Sequence, residues 1–179
     1  MKLYLLTHER ELNKTTNTGR LVKKCLGEQV EIIIWKRTEP NMRLVELINE
    51  GNVAMLYPDQ TSKDNSNVEA LSDEAQLLKS TVLNNKPLDK KTCVENFESF
   101  VILDSTWQEA RKMYNRSTYL QQAKKISLPV MAPSTYRKRR NQIEGGLSTA
   151  ECVIELLNQK NESSMALVLQ EQFDQFNLE

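Results

Sequence analysis

The feature that most constrains the fold of this 179-residue chain is a change of period within residues 100–114. Phe100, Val101, Ile102 and Leu103 are apolar without alternation, the pattern of a strand buried on both faces, as in a parallel sheet. Beyond the polar run Asp104-Ser105-Thr106, apolar residues recur at Trp107, Ala110, Met113 and Tyr114, which is the spacing of a helix face. Asp104, Ser105 and Thr106 therefore sit where a strand ends and a helix begins, the place at which open α/β sheets bind their ligands. The plainest role for Asp104 or Ser105 there is to cap the helix.

The rest of the chain repeats the theme. Residues 1–6, the β-branched run 31–35, residues 52–56 and residues 124–128, halted by Pro129, read as further strands. A helix capped by Asn17 or Thr18 runs to about Leu26, and another over 41–50 is closed by Gly51. Ser148, with Glu151 three residues on, makes a capping box for a helix whose Ala150, Val153, Ile154 and Leu157 face a core. A last amphipathic helix spans 163–176 through Met165, Leu169 and Phe173. Residues 60–68 and 84–91 are polar connections, 69–82 show weak helical spacing, and 131–146 are irregular. The expected fold is a single α/β domain over 1–179, with a mainly parallel sheet and flanking helices. Taken alone this pattern favours an unknotted, doubly wound topology.

Charge and cysteine usage narrow the function. Lys plus Arg and Asp plus Glu both number 24, so bulk electrostatic capture of nucleic acid is disfavoured, though a local basic patch is not. Arg137, Lys138, Arg139 and Arg140 form such a run beside Tyr136. Read generically it is a solvated loop. The three cysteines are scattered and joined by a single histidine, so neither a disulfide framework nor a zinc site is expected. No apolar run is long enough to span a bilayer, and the apolar stretch near Met1 is too short for a signal peptide's core. A cytoplasmic location is expected.

Three motifs carry a resemblance. Asp104-Ser105-Thr106-Trp107-Gln108-Glu109-Ala110-Arg111-Lys112-Met113 resembles the D-x-T-W-x-x-A-x-K/R-M signature of the DTW-domain family. His8 and Glu9, followed by the T-N-T-G-R-L block of residues 16–21, are similar to that family's N-terminal block, and Leu56-Tyr57-Pro58 is similar to a third of its motifs. The family includes tRNA-uridine aminocarboxypropyltransferases. Many members carry an N-terminal cysteine cluster, and this chain starts after it.

The resemblance implies a SPOUT-like fold with a C-terminal trefoil knot, in a monomer or homodimer. It implies S-adenosylmethionine as group donor and tRNA as acceptor, the 3-amino-3-carboxypropyl group passing to N3 of a uridine. Asp104 is the candidate general base for the weakly acidic N3–H. Leu56, Tyr57, Pro58, Asp104, Thr106, Trp107, Gly146, Leu147, Ser148 and Thr149 are the candidate donor-binding residues, with the Ser148 and Thr149 hydroxyls and their helix N-terminus directed at the donor's carboxylate. For Trp107 core packing is the competing role. Arg20, Tyr136, Arg137, Arg139 and Arg140 are the candidate RNA-binding residues, extended by Lys23, Arg111, Lys112 and Arg116. An RNA methyltransferase using the same donor and a non-catalytic RNA-binding module remain as alternatives.

Overall fold

The computed structural model describes residues 1–57, 93–128, 133–138 and 146–178. In chain order they form β1 (Lys2–Thr7), α1 (Thr18–Leu26), β2 (Val30–Ile34), α2 (Met42–Asn49), β3 (Val53–Leu56), β4 (Ser99–Asp104), α3 (Trp107–Asn115), α4 (Thr118–Gln122), β5 (Lys124–Ile126), α5 (Thr149–Gln159) and α6 (Ser163–Leu178). The expected connections 60–68 and 84–91 and the weak helical pattern of 69–82 lie outside the described residues.

All five strands are parallel, in the order β2-β1-β4-β3-β5. The chain leaves β1 toward one edge to lay down β2, then crosses over to build β3, β4 and β5 on the other side. The order reverses between β1 and β4, and the crevice beyond their C-terminal ends is the sheet's topological switch point. These two strands pair in register from Lys2 with Ser99 to Thr7 with Asp104.

Strand alternation divides the core. Leu3, Leu5, Phe100 and Ile102 point to one face and pack with α1, α5 and α6 through Val22, Val153, Leu157, Leu169 and Phe173. Tyr4, Leu6 and Val101 point to the other and pack with α2, α3 and α4 through Leu44, Met113 and Leu120. The unbroken apolar run of β4 is explained by this double cover. Parity then carries Thr7 and Asp104 onto the α1–α5 face, in line with the apolar residues before them.

Local signals behave as their chemistry predicts at several ends. Asn17 caps α1 by accepting from the Arg20 N–H, and Gly51 takes a left-handed φ of 72° just beyond α2. Ser148 and Glu151 complete the capping box of α5. Three details differ. The cap of α3 is Thr106, not Asp104 or Ser105, because β4 continues through Asp104. β5 stops at Ile126, two residues short of Leu128. The short α4 has no counterpart in the apolar pattern.

Candidate functional site

Asp104 is the last residue of β4, 4% exposed, and its carboxylate is the junction of three separate elements. Thr7, ending β1, donates from Oγ1 to Asp104 Oδ2 at 3.0 Å. Asn17, capping α1, donates from Nδ2 to the same oxygen at 2.9 Å. Thr149, opening α5, donates from Oγ1 to Asp104 Oδ1 at 2.8 Å. A buried carboxylate is tolerated where hydrogen bonds replace its water, and bonds to an ionised acceptor are the stronger kind. The starts of α1 and α5 both bear on this carboxylate, and helix N-termini favour negative charge. They also touch one another, since the Ala150 N–H donates to Thr18 Oγ1 at 3.3 Å.

Gly19 makes the close approach of α1 possible. A Cβ on Gly19 would stand 2.5 Å from Asp104 Oδ2 and 2.7 Å from its Cγ, well inside contact distance. Here glycine serves close packing against a polar group.

The Asp104 backbone extends the junction, its carbonyl accepting from the His8 N–H at 3.2 Å. The His8 ring lies over Trp35 with centroids 5.6 Å apart, and its Nδ1 accepts from the Arg10 N–H at 3.2 Å. Thr106 Oγ1 donates to Glu109 Oε2 at 3.0 Å. Burial pushes the Glu109 carboxyl upward, but the Thr106 hydrogen bond and the charges of His8 and Lys14 outweigh it and hold the group below its ordinary value. On the α3 side, Tyr57 packs against Tyr114 at 4.6 Å and Trp107 at 5.8 Å, with Lys125 Nζ 4.7 Å from the Tyr114 ring. Trp107 thus has the packing role and is half-buried, so part of its surface is open.

A second carboxylate organises the loop before α5. Glu151 accepts from Ser134 Oγ at 2.7 Å, from the Thr135 N–H at 2.7 Å and from the Ser148 N–H at 2.7 Å. Tyr136 follows, its hydroxyl donating to the Thr16 carbonyl and its ring packed on Phe173 and Phe176. A cavity of about 260 Å³ opens beside the same junction, lined by Thr15, Asn17, Arg20, Leu21 and Phe176.

The structure sorts the expected site residues by position. Asp104, Thr106, Trp107 and Thr149 come together at the switch point, with Leu56 ending the adjacent β3 and Tyr57 just beyond it. Gly146 and Leu147 are half-buried at the entry to α5, and Pro58 lies outside the described residues. The Ser148 and Thr149 hydroxyls, expected to meet the donor's carboxylate, are engaged internally, Ser148 accepting from the Glu151 N–H and Thr149 donating to Asp104. Tyr136 is a correction to the RNA-binding set: at 5% exposure its ring is core, not a platform for a base. Arg20 and Arg137 are exposed, while Arg139 and Arg140 lie outside the described residues. Lys23 donates to the carbonyls of Gly27 and Val30, and Arg111, Lys112 and Arg116 ride on or just beyond α3, across the sheet from α1. Thr7 is not among the expected site residues, and Asn17 and Gly19 enter the sequence reading only as part of the block of residues 16–21. A glycine in the first turn of a helix was the available signal, because glycine is a poor helix former placed there only for a reason.

Among the described residues, no group of three or more His, Cys, Asp or Glu side chains is placed to hold a metal ion. None of their helices is long and apolar enough to cross a membrane.

Comparison with known proteins agrees with the motifs. The DTW domain model matches residues 1–178. The tRNA-uridine aminocarboxypropyltransferase 2 of Macaca fascicularis is 24% identical over 153 residues, covering 84% of this chain and 44% of its own length. The chain thus spans less than half the length of that relative. No solved structure gives a significant match. With its family model matched almost from end to end, the chain belongs to the DTW domain family.

Proposed function

We propose that this protein is a tRNA-uridine aminocarboxypropyltransferase working at the switch point between β1 and β4. The observation that carries the reading is the junction at Asp104. It brings the D-S-T-W motif, the T-N-T-G-R block and the start of α5 to one place, although they are far apart in the chain. The similarity to a curated tRNA-uridine aminocarboxypropyltransferase supports the reaction class.

S-adenosylmethionine, when bound, supplies the electrophilic carbon next to its sulfonium. The half-buried ring of Trp107 beside Tyr57, the end of β3 at Leu56 and the backbone at Gly146 and Leu147 suit the apolar, planar adenosine. In this reading those residues hold and orient the donor, so that the aminocarboxypropyl carbon and not the methyl stands in line with uridine N3. Asp104 enters as the carboxylate that assembles this edge. The base role expected of it requires a lone pair open to the acceptor, and the three hydrogen bonds it accepts leave little of a 4% exposed group for that. Exposed Arg20 and Arg137, on the α1 and α6 side, serve tRNA phosphates. The strand order, with β4 inserted between β1 and β3, supports a SPOUT-like fold, and the C-terminal knot and a cytoplasmic location belong to the same proposal.

The test is incubation with unmodified tRNA and S-adenosylmethionine, followed by nucleoside mass spectrometry. A uridine carrying an added aminocarboxypropyl group, with methylthioadenosine released, is the expected result. A methylated base would make the protein a methyltransferase. RNA binding that ignores the donor and yields no modified nucleoside would leave a binding module.

A further inference from the structure

We propose that Asp104 is a positioning residue: its buried carboxylate clamps the starts of α1 and α5 to the ends of β1 and β4, and that clamp sets the shape of the donor-binding edge without exchanging a proton with substrate. The proposal deepens the transferase reading and rests on it for its activity measurements.

Three observations converge. The donors to the carboxylate come from Thr7, Asn17 and Thr149, at separations of 97, 87 and 45 residues, so one side chain joins parts of the chain that nothing local connects. All four participating residues are buried, which is the setting of a structural network and not of a group that must meet a nucleobase. Gly19 leaves the carboxylate no room to swing toward α1, because even a methyl group there would overlap it at 2.5 Å. An ionised carboxylate has about four acceptor positions in all. Two of the three hydrogen bonds fall on Oδ2 and one on Oδ1, and each helix start supplies one of them. The α5 start so held carries Gly146, Leu147 and Ser148 immediately before it, and Asp104 itself is followed by Thr106 and Trp107. The clamp therefore reaches both sides of the proposed donor edge.

The clamp and the base make opposite predictions for one conservative change. In Asp104→Asn the amide oxygen still accepts from Thr7 and Asn17, and the Thr149 hydroxyl can rotate to accept from the amide NH₂. An amide is no general base. The clamp therefore predicts that Asp104→Asn keeps transfer activity within about tenfold of the natural protein. Loss of a general base removes about 10²–10⁴-fold. Asp104→Ala and Gly19→Ala break or displace the clamp, and both should raise the KM for S-adenosylmethionine at least tenfold, Gly19→Ala without altering any titratable group. If Asp104→Asn and Asp104→Ala lose turnover equally while the donor KM stays unchanged in both, Asp104 is the base and the proposal falls.

A readout independent of activity separates this outcome from failure of the transferase reading itself. Amide hydrogen exchange over residues 17–22 and 148–153 should accelerate in Gly19→Ala and Asp104→Ala and stay protected in Asp104→Asn. Should Asp104→Ala not fold, the contrast between Gly19→Ala and Asp104→Asn decides alone. Natural protein that modifies no RNA but shows this exchange pattern keeps the clamp and discards the reaction. Unaltered exchange in Gly19→Ala discards the clamp, whatever the reaction.

Discussion

Two carboxylates at the same end of the molecule do opposite kinds of work. Asp104 is fully buried on a central strand and accepts from side chains contributed by β1, the cap of α1 and α5. Glu151 is half-buried in the first turn of α5 and accepts from its own capping residue and from Ser134 and Thr135, 17 and 16 residues upstream. The first joins distant parts of the fold, and the second tidies a loop onto a neighbouring helix. A buried acceptor's loss strands several donors away from water at once, whereas partly exposed donors regain water. The same chemical group should therefore differ greatly in what its removal does.

The largest expected effect is at Asp104. Asp104→Ala leaves the Asn17 and Thr149 donors unsatisfied, the Thr7 hydroxyl keeping the Leu5 carbonyl at 3.3 Å, and at about 1–3 kcal/mol for each stranded group the loss should come to roughly 2–6 kcal/mol. In a domain of this size that lowers the thermal midpoint by about 10 °C, measurable by calorimetry. A loss no larger than that at Glu151 would break the contrast. Glu151→Ala removes half of a capping box and the tether of Ser134 and Thr135, and about 1–2 kcal/mol is expected. Its sharper signature is local, with faster exchange at Thr135 and Tyr136 and little change at Asn17.

Thr106→Ala tests a cap on the same motif that takes no part in the clamp, and should cost about 1 kcal/mol. Its pH dependence has a definite sign. Glu109 is held below its ordinary value in the folded state, so its contribution is present above the unfolded value and is lost as pH falls through the folded one. Deleting the Thr106 hydroxyl removes part of that contribution. The stability gap between Thr106→Ala and the natural protein should accordingly be widest near neutrality and narrow in acid. The smallest effect on stability belongs to Arg20→Ala combined with Arg137→Ala, within about 0.5 kcal/mol per site for exposed side chains. The pair should nonetheless weaken tRNA binding and reduce the slope of log affinity against log salt by about 1 for each phosphate no longer neutralised. Unchanged affinity across salt concentrations would return both to plain surface.

Most of the fold was legible because the signals are local. Apolar runs of β length, helical spacing from Trp107, and the caps at Asn17 and Ser148 each depend on residues a few positions apart. The site was legible only as motifs. That Asp104 turns inward follows from strand parity with Phe100 and Ile102, and that it meets Thr7 follows from the β1–β4 register, which no short-range pattern encodes. Tyr136 beside a run of cations reads as surface, yet Phe173 and Phe176 from the last helix cover its ring. Thr149 reads as a free hydroxyl because its partner is a carboxylate 45 residues back, whereas the Ser148 box, closed three residues on, is legible locally. Each departure involves a tertiary contact overriding a sound local expectation.

The most direct test of the central claim is a crystal structure of the protein with S-adenosylmethionine bound in the absence of RNA. The adenosine is predicted to lie at the switch point, against Trp107 and the backbone of Gly146 and Leu147, with the Asp104 carboxylate still held by Thr7, Asn17 and Thr149. Donor seated instead in the cavity between Arg20 and Phe176, or an Asp104 that has left its three partners to face the donor, would contradict the account.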